Sequence, residues 1–542
     1  VVYGLLFFLV IGVYGIQGVP RSIGVLQPIL LLFAIISSRL SVKYVLAGSY
    51  SFRDKSFDKK KVLIYGAGDA GRQLVISLEN SPEFKVVGFL DDNSELQRQF
   101  LLGQKIYSLN NLEKLIKTNN VSLVFLALPS ISRNKRNQII EKLNLHKLIV
   151  KTLPSVSEIV DGRITVSDIK DLNIDDLLNR EQVEPDISLL NRNINSKIVV
   201  VTGAGGSIGS ELCRQIVMLK PNKLLLLELN EYALYKIYEE LISFNKNLKI
   251  IPLLINVQDQ AKLETIFETF KVDTVYHAAA YKHVPLVEEN ISSGVKNNVF
   301  STLAIVKACL IKKVSNFVLI SSDKAVRPTN IMGASKRLAE LCVQGIYDNT
   351  KNPYTNFSIV RFGNVLESSG SVIPKFKKQI IEGAPVTLTH KDVTRYFMTI
   401  TEAAQLVIQA GAMSKHSEVF VLDMGKSIKI LDLVNKMINA LGFSVKDRKN
   451  PGGDIQIKII GLRPGEKLYE ELLVGKNPKK TNHPKIQKIS DPFITFDKLE
   501  IELNKLKILL SKNKPAEIKK LLIKLLKSYK SNSKIIDHIH VK

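Results

Sequence analysis

An acid beside an amine, Asp323-Lys324, follows the apolar run Asn316-Phe-Val-Leu-Ile320 and the pair Ser321-Ser322. The run reads as a buried strand, so the pair stands at the carboxyl end of a sheet, where open α/β folds collect their chemistry. In a dry cleft, adjacent carboxyl and amine groups can have their pKa values moved toward working pH, as general acid and base catalysis requires. Met332 and Lys336 lie one helical turn apart in the helix that follows.

These groups need a fold to position them, and a second signal supplies one. Lys197 to Val201 reads as a strand that runs through Thr202 into Gly203, Gly206 and Gly209, with Ser207 and Ile208 between and a helical stretch beyond. Glycines at that spacing let the backbone approach a pyrophosphate closely and let the helix pack on its strand; amides at the helix start stabilise the anion. The next strand, Leu224 to Leu227, ends at Glu228. A carboxylate there binds both ribose hydroxyls of NAD and repels the 2′-phosphate of NADP, so NAD is the expected cofactor, ahead of NADP. Asn256 and Val257, after a further strand, are placed to meet the adenine. Ala278, Ala279 and Ala280, after Thr274 to His277, supply the small residues a nicotinamide diphosphate needs nearby.

A similar turn occurs earlier. Lys61 to Tyr65 reads as a strand, Gly66 to Gly71 as the turn, Arg72 to Glu79 as the helix, and Lys85 to Leu90 as a second strand ending in Asp91-Asp92. Leu123 to Leu128 is a third strand. The predicted fold class is α/β, with two Rossmann-like parallel-sheet domains in tandem after N-terminal transmembrane helices. No catalytic residues accompany the first turn, which is either a nucleotide site or a scaffold that binds nothing.

The chain has 542 residues and a formal net charge of +25. Such charge suits nucleic acid, an anionic membrane surface or polyanionic substrates, and the membrane has independent support. Residues 1–16 and 23–38 carry no charge, with Pro20 and Arg21 between them. Both are somewhat shorter than the roughly 20 residues that span a bilayer, and the first reads as the tail of a longer span. Arg39, Lys43, Arg53, Lys55 and Lys59-Lys60-Lys61 follow, which places the downstream domains in the cytoplasm. The expected location is the inner (plasma) membrane, multi-pass, with a buried helical hairpin as the alternative. Cys213, Cys309 and Cys342 and the eight histidines show no metal-ligand spacing, so no metal is expected.

The resulting organisation is transmembrane helices over 1–40, a first Rossmann-like domain over 58–152 and a polar connector over 153–195. A catalytic domain with its substrate lobe follows over 196–491, then a basic helical tail over 492–542. In the tail, Leu521, Leu522, Leu525 and Leu526 form an apolar stripe that suits packing on its own domain better than docking on a membrane surface.

Six strings carry a resemblance: TGAGGSIGSEL (202–212), HAAAYKHVPLVE (277–288), SSDKAVRPTNIMGASK (321–336), RFGNVLESSGSVIPKF (361–376), DVTRYFMTI (392–400) and GLRPGEKLYEELL (461–473). With them the chain resembles extended short-chain dehydrogenase/reductases, and specifically the membrane-bound nucleotide-sugar 4,6-dehydratases of bacterial surface-polysaccharide synthesis. The resemblance implies a UDP-N-acetylhexosamine substrate, hydride loss from C4, elimination of water across C5 and C6, and return of the hydride at C6. It implies Lys324 as the base at C5, Asp323 as the acid at C6, and Lys336 on the nicotinamide ribose. The wider superfamily has tyrosine where Met332 stands, and a thioether accepts no proton. The group that takes the 4-hydroxyl proton stays open, with Ser322 the best placed. Arg361, Arg395 and Arg463 are expected on the diphosphate, Glu466 on the uridine ribose, and Lys282, Asn298 and Asn364 near the sugar and phosphates. Glu367 stands where the resemblance leads one to expect glycine. Expected partners are the UDP-sugar, the membrane and further copies of the chain, with no nucleic acid. A C4 epimerase, which needs no Asp-Lys pair, and a non-catalytic membrane-tethered nucleotide sensor are the alternatives.

Overall fold

The computed structural model describes residues 2–51, 59–79, 81–131, 133–144, 146, 148–153, 170–171, 183–244, 247–350, 354–472, 478–531 and 534–540. Arg53, Lys55 and most of the expected connector lie outside them. The chain divides into two compact units, Val1–Pro129 with Leu153–Ile169, and Ser130–Thr152 with Lys170–Lys542.

Near the start, helix α1 (Ile23–Ser51) runs 29 residues and carries Pro28 inside it, where the missing N–H removes one backbone hydrogen bond. Its stretch Ile23–Val42 is long and apolar enough to cross a membrane, and Leu30, Phe33 and Leu40 are exposed on it. Two spans were expected from the sequence. Before α1 there is a six-residue helix, Val2–Phe7, continued by a seven-residue π-helical stretch, Phe8–Tyr14. At about 1.5 Å rise per residue these reach about 20 Å, short of a hydrocarbon core of roughly 30 Å. The described residues therefore hold one helix of spanning length.

In the first unit, β1 (Lys60–Tyr65) leads through the glycine turn into α2 (Asp69–Leu78), β2 (Phe84–Leu90) and later β3 (Leu123–Leu126). β1 pairs in parallel with both other strands. Val62, Leu63 and Ile64 are wholly buried, as a strand covered on both faces demands. The two acids after β2 are used locally: Asp91 accepts from the Ala67 amide at 2.7 Å and Asp92 from the Tyr65 hydroxyl at 2.7 Å.

The second unit is built on one large sheet. Its elements in chain order are β4 (Ile198–Thr202), α3 (Ser207–Met218), β5 (Lys223–Glu228), β6 (Lys249–Leu254), β7 (Thr274–His277), β8 (Asn316–Ile320), α4 (Ile331–Thr350), β9 (Asn356–Arg361), β10 (Ser417–Leu422) and β11 (Ile486–Ile489). Across the sheet the order is β6-β5-β4-β7-β8-β9-β10-β11, with Lys479–Lys480 at the edge. Pairing is parallel from β6 to β10 and antiparallel at β11. The chain winds outward from β4 to β6 and then crosses back to β7, which opens a crevice beyond the carboxyl ends of β4 and β7.

Period-two alternation sorts β4 between two cores. Val200 belongs to the cluster that includes α4, whereas Val199 and Val201 belong to the cluster that includes α3. The tail joins the first of these. Helices α5 (Phe496–Ser511) and α6 (Pro515–Leu525) contribute Leu499, Leu503, Leu506, Ile518 and Leu522 to it, and Leu526 follows just past α6. Of the expected stripe, Leu522 and Leu526 are buried and Leu521 and Leu525 pack beside them. The last part of the expected connector also belongs here. Asp186 caps the helix Ile187–Arg192, and Leu190 and Ile194 sit in the α3-side core.

Candidate active site

The glycine turn between β4 and α3 has no room for a side chain at Gly203, Gly205 or Gly209. Gly203 holds φ +64, and a Cβ there would lie 2.8 Å from Ala279 Cα; on Gly209 it would lie 1.9 Å from the Gly203 carbonyl oxygen. Glu228, at the end of β5, accepts from the Gly205 amide at 3.0 Å and from the Leu229 and Asn230 amides at 2.9 and 3.1 Å. Behind the turn, Thr202 Oγ1 lies 2.7 Å from His277 Nδ1, and His277 Nε2 lies 3.2 Å from Thr302 Oγ1. Burial, reinforced by the Lys336 charge, holds the His277 pKa down to about 3, so the ring is neutral. It links the ends of β4 and β7.

A cavity of about 1230 Å³ opens at this crevice. Gly203, Gly206, Ser207, Ile208 and Gly209 line it, with Ala278 and Ala280. Ser322, Lys324, Met332, Lys336 and Asn364 line it too, and Lys282, Arg395, Arg463 and Glu466 complete the expected set found on its walls. Glu228, Asn256, Val257 and Ala279 are not on the wall. Asn256 is exposed and accepts from the Gln258 amide, and Val257 is buried. Lys282, Lys324, Lys336, Lys375, Lys378, Arg395 and Arg463 face a single wall carboxylate, Glu466, so the cavity favours an anion. Lys375 and Lys378, three residues apart on the helix Val372–Ile381, were missed in the sequence. Their helical spacing puts them on one face.

The acid and amine occupy the turn after β8. Lys324 Nζ lies 3.0 Å from Asp323 Oδ1, 3.0 Å from Asn364 Oδ1 and 3.9 Å from Glu470 Oε1. Ser322 Oγ donates to the same Asp323 oxygen at 2.9 Å and accepts from the Lys324 amide at 3.2 Å. Burial works to depress the Lys324 pKa, but Asp323 and Glu470 outweigh it and the net shift is upward. Asp323 is wholly buried and its Oδ2 has no hydrogen-bond partner among the described residues. On α4, Met332 lies in the wall, and Lys336 Nζ donates to the Ile320 carbonyl at 2.8 Å. Burial lowers the Lys336 pKa to about 8.

Two expected substrate contacts are placed elsewhere. Arg361 is sealed in the interior, with Nε 2.7 Å from Glu340 Oε1 and Nη2 2.6 Å from both Glu340 Oε2 and Asp491 Oδ2. Its charge is spent on those two carboxylates and does not reach a diphosphate. Asn298 is buried as well, bonding the Tyr281 amide and carbonyl and the Ser335 hydroxyl. It therefore fixes a loop. Arg395 does reach the wall, where Nη2 meets Glu466 Oε1 at 3.1 Å. Glu367 sits at φ +54, a left-handed backbone that explains why glycine is the expected residue there.

A Rossmann-like α/β domain with a basic cavity at its topological switch point defines the class. The chain belongs to the polysaccharide biosynthesis protein family, whose model matches residues 199–491; a second model, the N-terminal region of C2185-like proteins, matches residues 58–117. The capsular polysaccharide biosynthesis protein CapD of Staphylococcus aureus is 41% identical over 427 residues, 78% of this chain and 70% of that protein. The UDP-N-acetylglucosamine 4,6-dehydratase (inverting) of Campylobacter jejuni is 31% identical over 281 residues, 52% of this chain and 78% of the enzyme. A UDP-glucose 4-epimerase of Rickettsia bellii is 30% identical over 289 residues, covering 52% and 80%.

Proposed function

We propose that the chain catalyses the 4,6-dehydration of a UDP-N-acetylhexosamine, UDP-N-acetylglucosamine foremost, to the 4-keto-6-deoxy sugar nucleotide for surface polysaccharide synthesis. The observation that carries this reading is the Asp323–Lys324 pair at 3.0 Å, whose lysine lines the same cavity as the glycine turn and the basic side chains. The tight turn at Gly203 and Gly209 and the buried Lys336 amine suit NAD, held by Gly203, Gly206, Ser207, Ile208 and Gly209. Bound there, NAD would supply hydride acceptance and return.

The rest falls to side chains of this chain. Ser322 takes the sugar 4-hydroxyl proton and passes it to Asp323 across their 2.9 Å contact, since the Met332 thioether has no exchangeable proton. The Asp323 carboxylic acid then gives that proton to the departing 6-hydroxyl while the Lys324 amine takes the C5 proton. The C6–O bond breaks, a C5–C6 double bond forms, and water leaves. An ammonium facing a carboxylate, as Lys324 faces Asp323, is the form this step leaves behind. Lys324 then returns its proton to C5. Arg395, Arg463, Lys375 and Lys378 offer positive charge to the diphosphate. The apolar helix Ile23–Val42 supports attachment to the membrane.

The test is mass spectrometry of UDP-N-acetylglucosamine incubated with the purified chain. Loss of one water supports the dehydratase. A product of unchanged mass points to the epimerase reading, which the Rickettsia relative favours, and bound NAD without turnover points to a sensor.

A further inference from the structure

Glu470 was given no role by the sequence, yet it is the third ionisable group against the catalytic pair. It follows the turn that carries Arg463 and Glu466, and its side chain is 3% exposed. One of its oxygens, Oε1, lies 3.9 Å from Lys324 Nζ. The other, Oε2, has no hydrogen-bond partner among the described residues, like Asp323 Oδ2 beside the same amine. Leaving buried carboxylate oxygens without donors is unfavourable, so a purely structural role would put an unneeded penalty here.

We propose that Glu470 is a positioning residue for the acid–base step, sharing the Lys324 ammonium with Asp323 and so setting the pH at which Lys324 becomes the amine. The argument is one of charge count. Two carboxylates around one ammonium leave a net negative charge in a closed space, a state that burial opposes. The other charged groups facing Glu470 are Arg395 and Lys467. Arg395 is engaged at 3.1 Å by Glu466, and Lys467 donates to the Val326 carbonyl at 3.0 Å. Glu470 thus faces the shared Lys324 ammonium directly. Burial first, with Asp323 adding to it, raises its pKa against the pull of Lys324. While Glu470 is ionised it holds Lys324 as a cation facing Asn364 and the cavity; once Glu470 is protonated that hold is released and the amine forms more easily.

This inference rests on the reading of Lys324 as the C5 base, but its test reads the amine directly. The probe is acetic anhydride, applied to the full chain over a range of pH, with acylation of Lys324 followed by peptide mass spectrometry. In Glu470→Gln, a neutral isostere, the midpoint of Lys324 reactivity should fall by about one pH unit. Where turnover is measurable, the acid limb of the kcat profile should fall with it, at nearly constant KM. An unmoved midpoint overturns the proposal, even if kcat drops, because that is what a structural role would give. Should Glu470→Gln fail to fold, Glu470→Asp, which withdraws the carboxylate by one methylene, must shift the midpoint in the same direction by less; no shift there overturns the proposal equally. A shifted midpoint in a protein that removes no water from UDP-N-acetylglucosamine would sink the proposed function and leave this relationship standing.

Discussion

Gly363 packs against the carboxylate of Asp323: a methyl group on it would lie 3.2 Å from Asp323 Oδ2 and 3.1 Å from Tyr396 Cβ. Gly363 is on the cavity wall and Asp323 is not, so on the proposed reading the unpartnered carboxylate oxygen would meet the sugar past a residue with no side chain. Gly363→Ala should therefore lower kcat by about tenfold, through sub-ångström displacement of the acid, with little change in thermal midpoint. Full activity in that variant would mean Asp323 works through another face.

Removing the pair tests the chemistry itself. Lys324→Ala and Asp323→Asn should each cut dehydration by about 10²–10⁴-fold. Cofactor carried through purification, read by absorbance after release, should be unchanged, because neither residue belongs to the glycine turn. Retained turnover in Lys324→Ala would remove the base assignment.

The Arg361 cluster predicts a stability effect in place of a binding effect. Arg361→Met leaves Glu340 and Asp491 buried without their shared cation, and Arg337 Nη1 at 2.9 Å from Glu340 compensates only in part. Loss of about 3–5 kcal/mol is expected in urea unfolding. Weaker UDP binding at unchanged stability would instead restore the diphosphate role expected from the sequence.

The His277 ring gives a pH signature. Its folded pKa near 3 lies below the ordinary 6.5, so as pH falls the unfolded chain takes up this proton before the folded one does. The stability is complete above about pH 6.5 and drains as pH falls toward about 3, amounting to about 2 kcal/mol lost at pH 5. Thermal melts from pH 7.5 to pH 5 should show that slope, and His277→Asn should flatten it.

The parts of this site that were legible in the sequence are those set by short-range geometry. The glycine turn, Ser322-Asp323-Lys324 after β8, and the Met332 to Lys336 spacing on α4 each lie within a few residues, where strand and helix periods fix relative position. Arg361 and Asn298 were misplaced because the partners that claim them, Glu340 and Asp491 in one case and Tyr281 and Ser335 in the other, come from distant segments. Glu470 was passed over for the same reason, since only the folded chain brings it to Lys324. Glu367 shows the converse: the string alone marked a backbone position that wants glycine, and its φ of +54 supplies the cause.

The helices after Asp491 have a practical consequence. The family match stops at residue 491, yet the hydrophobic cluster behind α4 draws on side chains as far as Tyr529. An expression clone trimmed at the end of the match would strip the lining from the helix that carries Met332 and Lys336 and leave its greasy back open to water. For this chain, the hydrophobic core outruns the region that sequence kinship alone marks out.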